Sequence, residues 1–258
     1  AHLEGFGGIE GVKKGKSEMY RFIKQKNGQL FVNADDGVLM ELSQAIAKST
    51  YSLHQQSDIV GFDCANSDTV AFKFKSSDDQ QDWSEHKKIQ THIIGHYNLV
   101  NCLAACCVGN YFNVPQADII EALANYHPNM NRSQLVKTKT NTVILDAYNA
   151  NPNSMRVAID NFANVNAEKK ILLLGDMFEL GDYSDTEHQA IADLLVQKNF
   201  NQVVLVGPHF QKTGNNNFTK LESTIQCVEL LKSLHLQQCH ILIKGSRGMK
   251  METLLEYM

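Results

Sequence analysis

The sequence lacks the features that would assign it to a membrane or nucleic-acid-binding class. No apolar run approaches the ~18 residues of a membrane span, and the opening residues AHLEGFGGIEG lack the basic and apolar blocks of a signal peptide. No block of lysine and arginine is interleaved with aromatics, and the formal net charge is −4. These absences argue against a nucleic-acid or membrane partner and predict a cytoplasmic protein.

Cysteine pairing is also missing. The chain has six cysteines, none of them in a CxxC pair, and most lie inside apolar segments, which is typical of buried reduced thiols. Cys102 and Cys106 would share one face of a helix and could hold a metal, but no His or Cys at ligand spacing accompanies them. The pattern therefore favours core packing.

Two glycine-rich nucleotide motifs are absent. GVKKGKS, residues 11–17, resembles the phosphate loop G-x-x-x-x-G-K-[ST] but is one residue short, because Glu10 stands where the first glycine belongs. It also lies in a helix-like stretch, where Lys13, Lys14 and Lys16 would form a solvated face. No G-x-G-x-x-G follows the first strand of the second half, which argues against a dinucleotide-dependent oxidoreductase.

What is present is a chain of 258 residues with 43% hydrophobic content, enough for one large or two modest domains. The pattern changes near residue 128, so we predict domains over 1–128 and 129–258. In the first domain the signals are mixed. They predict helices over 12–26, 37–48 and 98–112, a further helix opening at Pro115, and strands over 30–33, 58–64, 69–75 and 90–95.

The second half alternates regularly between two kinds of segment. The strand-like segments are NTVILDAY, KKILLLGDM, QVVLVG and HILIKGS, and the helix-like ones are NSMRVAIDNFANV, SDTEHQAIADLLVQK, STIQCVELLKSL and METLLEYM. Continuous apolar strands alternating with helices predict a doubly wound α/β domain, with a parallel sheet covered on both faces. Such sheets bind their ligands at the carboxyl ends of the strands.

Polar residues and glycines stand at these predicted strand ends. Asp146, Asp176 and Gly207 each follow a strand, and KGSRG at 244–248 follows another. They should line one rim, where glycines let a ligand approach the backbone and Arg247 favours an anion. Turn glycines also serve purely geometric needs, so the coincidence of several strand ends carries the prediction.

Longer motifs resemble a known family. DAYNANPNSM, LLLGDMFELG with the following His188, and KGSRGMKME resemble the carboxyl-terminal domain of the Mur ligases. AHLEGFGGIEGVKKGKSEMY and IIGHYNLVNCLAACCVGNYF are similar to parts of the central ATPase domain of that family. Within the family, YNANP points to the ligases that add D-alanyl-D-alanine and away from folylpolyglutamate synthases. The resemblance implies a partial central ATPase domain followed by a Rossmann-like doubly wound domain.

The resemblance implies an ATP-dependent peptide ligase of peptidoglycan precursor synthesis. A carboxylate of UDP-N-acetylmuramoyl-tripeptide is phosphorylated to an acyl phosphate, which the amine of D-alanyl-D-alanine attacks, with ATP and Mg²⁺ as cofactors. By resemblance His2 binds a second Mg²⁺, and Lys16 is carbamoylated, which supplies oxygen ligands suited to a hard cation. Without the resemblance they would be a terminal histidine and a solvated lysine.

The resemblance also assigns nucleotide contacts. Asn98 and Asn101 would contact the adenine from one helix face, since an amide offers both a donor and an acceptor. Asn98 could equally cap the helix, and Tyr97 stands where the family commonly has His. Arg132 would reach the ATP phosphates, and Asp146 would face the ribose hydroxyls. A site divided between domains implies a closing motion.

Five further residues are candidates for contact with the peptide substrate: Asn149, Asn151, Lys244, Ser246 and Arg247. The two asparagines could equally form the turn before Pro152 at a helix start, and the other three could serve ordinary turn chemistry. Asp176 and Glu179 are candidates for structural caps.

The phosphate loop and the UDP-sugar-binding domain of the family should precede residue 1. We therefore expect a fragment of a longer protein, monomeric when intact. The fragment should be inactive alone, with a sheet edge open to self-association. A nucleotide-sensing or scaffold module, with the motifs kept as fold geometry, is the non-enzymatic alternative.

Overall fold

The computed structural model of the chain describes residues 3–64, 69–129, 131–214 and 217–258. Two units are distinguished: one is Ile9–His127, and the other combines Ala1–Gly8 with Pro128–Met258. The short helix α1 (Leu3–Phe6) belongs to the latter, which we call the carboxyl-terminal unit. No helix among the described residues is long and apolar enough to cross a membrane.

The unit Ile9–His127 is built on a mixed sheet with the strand order β1-β2-β3-β4-β5. Strands β1, β2 and β3 are parallel, and β3, β4 and β5 are antiparallel. Its elements are α2 (Ile9–Gln25), β1 (Leu30–Asn33), α3 (Gly37–Leu42), β2 (Lys48–Ser52), β3 (Ile59–Asp63), β4 (Thr69–Ser76), β5 (Ile89–Ile94), a 3₁₀ turn (His96–Asn98), α4 (Leu99–Tyr111) and α5 (Gln116–Asn125).

Helix α4 fills the core of this unit. Its residues Leu99, Cys102, Leu103 and Cys106 recur at helical spacing, are buried, and belong to one cluster with the strand residue Phe72. Burial raises the pKa of the Cys102 thiol to about 11, so the thiol stays protonated at neutral pH. None of the six cysteines forms a disulfide. The predicted core packing is confirmed for Cys102 and Cys106.

The carboxyl-terminal unit contains a six-stranded sheet with the order β10-β9-β8-β11-β7-β6. All neighbours are parallel except β6, which runs antiparallel to β7 at one edge. Its elements after α1 are β6 (Gln134–Lys137), β7 (Thr142–Asp146), α6 (Pro152–Ala163), β8 (Lys170–Gly175), α7 (Ser184–Val196), β9 (Gln202–Val206), α8 (Pro208–Gln211), β10 (Thr219–Leu221), α9 (Thr224–Ser233), β11 (His240–Lys244), and 3₁₀ segments at Gly181–Tyr183, Arg247–Met249 and Met251–Tyr257.

The sheet is covered on both faces, as the apolar runs predict. Along β8, Leu172 and Leu174 join the cluster under α6 and α7, while Ile171 and Leu173 join the one under α9 and the terminal 3₁₀ segment. Successive strand residues point to opposite faces, so a strand buried on both sides must be apolar throughout. The doubly wound prediction is confirmed, with the antiparallel β6 added.

Some elements differ from the predictions. The GVKKGKS stretch lies inside α2, which confirms that it is no phosphate loop. The predicted helix over 37–48 is wrong in its second half, because α3 ends at Leu42 and Lys48 opens β2. Of β2 only Ser52 is buried, and the edge strand β6 has no fully buried residue. Neither strand shows the alternation by which a sequence reveals a strand.

Gly207 is required by the turn after β9, and its replacement should destabilise the fold. Its φ is 126°, and a Cβ atom there would lie 2.3 Å from Cγ of Asp176. We expect Gly207→Ala to lower the free energy of unfolding by at least about 2 to 3 kcal/mol in urea titration. Gly214→Ala is the matched control, because its Cβ would meet no atom closer than 4.0 Å. Equal effects of the two substitutions would contradict this assignment.

Candidate functional site

Two strand ends of the carboxyl-terminal unit carry opposite charges side by side. Parallel strands β7 and β11 pair with Asp146 opposite Lys244, the last residue of each strand. The Lys244 ammonium contacts the Asp146 carboxylate, and only 2% and 14% of these side chains are exposed. The ammonium also lies 3.4 Å from the carbonyl oxygen of Asn149. Lys244 is thus committed to a buried ion pair, whereas the sequence had suggested a peptide contact.

The Asp146 carboxylate also holds the segment that precedes β6. Its Oδ1 accepts a hydrogen bond of 3.1 Å from the backbone N–H of Ser133. Arg132 stands between Asn131 and Ser133, whose φ values of 59° and 45° lie in the left-handed region. Non-glycine residues adopt that region at a cost, so contacts that hold the backbone are needed. The strand-end aspartate therefore fixes the turn that presents Arg132.

Two arginines meet on one aromatic ring at this rim. The Arg132 guanidinium carbon lies 3.7 Å, and that of Arg247 5.2 Å, from the centroid of the Tyr148 ring. Both arginines are exposed, so their charges are available to an anion. Sequence reasoning missed Tyr148, although its position two residues after Asp146 at a strand end was a signal. An adjacent pocket is lined by Tyr148, Arg247, Asn149, Phe178, Glu179 and Ser246.

Two candidate substrate residues serve the fold. Asn151 caps α6: its side chain accepts from the N–H of Ser154, while the Ser154 hydroxyl accepts from the N–H of Asn151. This capping box, with Pro152 as the first helical residue, is the turn-forming alternative. The buried Ser246 hydroxyl accepts a 2.8 Å hydrogen bond from the N–H of Phe178. Asn149 remains exposed and lines the pocket.

Asp176, which directly follows β8, caps helix α8 from a buried position. Its two carboxylate oxygens each accept a 2.9 Å hydrogen bond, from the N–H groups of His209 and Phe210 at the start of α8. These groups lie at a helix terminus, where an anion is favoured and donors would otherwise be unsatisfied. Asp176 thus has the role of a structural cap for which the sequence made it a candidate.

His188 lies beside this cap and is fully buried. Its Nε2 accepts a 3.0 Å hydrogen bond from the N–H of Met177, and its Nδ1 donates over 2.7 Å to the carbonyl of Ser184. Such a pattern requires the neutral imidazole with its proton on Nδ1. Burial lowers the pKa of His188 from its ordinary value of 6.5, which agrees with the neutral form. His188, which follows the LLLGDMFELG motif, is therefore structural.

The nucleotide candidates of the other unit, Ile9–His127, form a linked amide pair. Asn98 donates from Nδ2 to the carbonyl of Ile94 over 2.8 Å, and Asn101 donates from Nδ2 to Oδ1 of Asn98 over 3.0 Å. The Asn98 side chain makes no capping hydrogen bond to α4, so the alternative capping role is not observed. Asn101 is exposed and Asn98 half-buried. This arrangement fixes the orientation of both amides.

One of the two predicted metal ligands falls within the described structure. His2 lies outside the described residues, and Lys16 is exposed on α2. Among residues 3–64, 69–129, 131–214 and 217–258, no three His, Cys, Asp or Glu side chains form a group that could hold a metal.

The buried ion pair should be strongly coupled in a double-mutant cycle. Removing one partner leaves the other charge buried, so Asp146→Asn and Lys244→Met should each cost about 3 kcal/mol of unfolding free energy. The double variant should lose less than the sum, by about 1 to 3 kcal/mol. The exposed pair Glu229 and Lys232 is the control, with expected coupling below about 0.5 kcal/mol. Additive losses at Asp146 and Lys244 would refute the coupling.

His188 should make stability depend on pH. Its pKa is lowered in the folded chain, so below pH 6.5 the unfolded chain binds more protons. The free energy of unfolding should therefore fall as the pH drops from 6.5 toward the pKa of His188 in the folded chain. Above pH 6.5, His188 should contribute no pH dependence. His188→Gln should flatten the slope measured by urea titration between pH 7.5 and 5. His235→Gln, which removes an exposed histidine, is the control; an unchanged slope in His188→Gln would disprove the assignment.

Comparison with known proteins identifies both parts of the chain. Residues 1–109 match the Mur ligase middle domain, and residues 131–247 match the domain described as Mur ligase, glutamate ligase domain. The UDP-N-acetylmuramoyl-tripeptide--D-alanyl-D-alanine ligase of Bacillus subtilis (strain 168) is 27% identical over 270 residues, covering 99% of this chain and 56% of the relative. The enzyme of the same name from Escherichia coli (strain K12) is 27% identical, covering 98% and 56%.

Solved structures agree. MurF from Acinetobacter baumannii superposes with a TM-score of 0.82 at 26% identity, covering 99% of this chain and 56% of that one. MurF from Thermotoga maritima, solved in complex with ADP, has a TM-score of 0.82 at 21% identity over 100% and 58%, a likeness of fold alone. The chain thus spans little more than half the length of the relatives it matches. With both of its parts matched to successive domains of one enzyme family, the chain belongs to the Mur ligase family.

Proposed function

We propose that this chain takes part in ATP-dependent ligation of D-alanyl-D-alanine to UDP-N-acetylmuramoyl-tripeptide, in the cytoplasmic synthesis of peptidoglycan precursors. The observation that carries the proposal is the rim of the carboxyl-terminal unit. There Arg132 and Arg247 both lie against the ring of Tyr148. Asp146 holds the turn that carries Arg132 through the N–H of Ser133. Two guanidinium groups suit phosphate and carboxylate, the groups that this ligation brings together. The relatives that match 98% to 99% of the chain bear the name of this ligase.

Each candidate residue has a proposed task in this reaction. Arg132 stabilises negative charge on the transferred phosphoryl group, since phosphoryl transfer depends mainly on positioning and on cations. Asp146 accepts from the ribose hydroxyls with a lone pair left over from its contacts with Lys244 and Ser133. Arg247 binds the carboxylate of the incoming dipeptide, and Asn149 contacts the peptide at the pocket.

Adenine recognition is proposed for the amide pair of the unit Ile9–His127. The side-chain oxygen of the exposed Asn101, which is oriented by its hydrogen bond to Asn98, would offer an acceptor to the adenine edge. The MurF from Thermotoga maritima was solved with ADP, which supports nucleotide use by extension to this chain. We propose Mg²⁺ as a cofactor, with His2 and a carbamoylated Lys16 as its ligands.

The reaction itself should be tested by nucleotide turnover. Because the chain spans 56% of the Bacillus subtilis relative, it should be assayed alone and joined to the part of that relative it does not match. We expect ADP release that requires both UDP-N-acetylmuramoyl-tripeptide and D-alanyl-D-alanine in the joined protein, and none in the chain alone. ADP release that is indifferent to the dipeptide would instead favour a nucleotide-binding module.

Arg132 should matter to turnover more than other exposed cations do. In the joined protein, Arg132→Ala should lower kcat by about 10²- to 10³-fold, because one donor to a developing charge is worth about that much. Arg132→Lys should recover only part of the loss, since lysine lacks the planar fork. Lys139→Ala, at an exposed lysine of the same unit, is the control and should leave kcat unchanged. A kcat for Arg132→Ala equal to that of the control would remove Arg132 from the mechanism.

A further inference from the structure

Tyr148 lies within the DAYNANPNSM motif but has no role assigned from the sequence, and it stands at the centre of the rim. It follows β7 in the strand's alternation, in which Leu145 and Ala147 are buried while Asp146 and Tyr148 are half-buried. The ring lies two residues beyond the end of β7 and lines the adjacent pocket.

The contact between Tyr148 and Arg132 has the geometry of a stacked cation. The distance of 3.7 Å from the guanidinium carbon to the ring centroid is well inside the ~6 Å range of cation–π attraction. The backbone of Arg132 is held separately, through the Ser133 N–H on Asp146. Asp146 thus holds the backbone beside Arg132, and Tyr148, two residues further along the chain, holds the Arg132 side chain.

The second arginine makes Tyr148 a shared platform. Arg247 approaches the same ring at 5.2 Å, although two guanidinium groups repel each other. The face of an aromatic ring attracts both, which offsets part of that repulsion. Lys244 and Asp146 cancel in charge, and Glu179 is the carboxylate that lines the pocket with Arg247. The two arginines therefore leave an excess of positive charge at the ring.

We propose that Tyr148 is a positioning residue whose ring orients Arg132 and Arg247 toward the anionic oxygen groups of the substrates. The proposal rests on the proposed function. The shared chemistry is an oxyanion, which either the phosphates of ATP or the carboxylate of D-alanyl-D-alanine supplies. A guanidinium that is ordered in advance loses less rotamer freedom when it binds that group, so the ring raises affinity without touching the ligand.

The arrangement can be tested without any ligand. Protons of the Arg132 side chain should show a ring-current displacement in NMR spectra of the 258-residue chain. Tyr148→Phe keeps the ring and should retain the displacement, and Tyr148→Leu should abolish it. Melting temperatures of both variants establish that the fold is intact. An Arg132 signal that stays displaced in folded Tyr148→Leu overturns the proposal.

The consequence for binding is tested in two arms. Mg·ATP and D-alanyl-D-alanine are titrated separately into the joined protein, as wild type and as both Tyr148 variants. Tyr148→Leu, which removes the ring, should raise the Kd of the ligand that the arginines bind by about two- to fivefold. Tyr148→Phe, which keeps the ring, should have the wild-type Kd. The ligand whose Kd rises is the one that supplies the oxyanion. If the wild type binds but Tyr148→Leu binds equally well in both arms, the positioning role is wrong.

Failure of the proposed function gives a different result. If the joined protein binds neither ligand while the Arg132 displacement follows the ring as expected, the proposed function loses its support and the positioning of the arginines by Tyr148 stands. If kcat of the joined protein falls in Tyr148→Leu and keeps its wild-type value in Tyr148→Phe, the proposed function and the positioning role of Tyr148 are both supported. A fall that Phe does not rescue counts against the ring.

Discussion

The ion pair between Lys244 and Asp146 is the constraint on which the rim of the carboxyl-terminal unit depends. Both residues end parallel neighbouring strands, so the charges meet only if β7 and β11 are adjacent and in register. A slip by one residue would turn each charge to the opposite face of the sheet and into the apolar core. The pair therefore specifies the register, and through Asp146 it also fixes the turn that carries Arg132.

Two buried polar side chains near this rim, Asp176 and His188, have their hydrogen-bonding groups matched by the backbone. Asp176 is matched by the N–H groups that open α8, and His188 by one donor and one acceptor of the backbone. Networks of this kind rigidify the loops they join, because any unsatisfied member would carry a large desolvation cost. The rim is thus a stiff frame, and the exposed side chains of Arg132, Arg247 and Asn149 on it are accessible to a ligand.

Much of this could be predicted from the sequence, for identifiable reasons. Apolar runs ending in a charge or a glycine marked β7, β8, β9 and β11 and placed their ends on one rim. The partner of Lys244 could not be predicted, because it lies 98 residues away and depends on the strand order β8-β11-β7. The roles of Asn151 and Ser246 as a helix cap and a loop bridge likewise depend on hydrogen-bond geometry that spacing does not reveal. The family assignment came from long motifs and is confirmed.

The reversed direction of β6 has an evolutionary consequence. In a purely parallel sheet, only residues that follow a strand can reach the ligand-binding rim. Because β6 runs against β7, with Gln134 opposite Leu145, the residues just before β6 reach that rim as well. Arg132 therefore enters from the upstream side of its strand. Sequence drift or a length change ahead of Gln134 can retune the charge of the rim without altering any of the crossover helices that hold the sheet together.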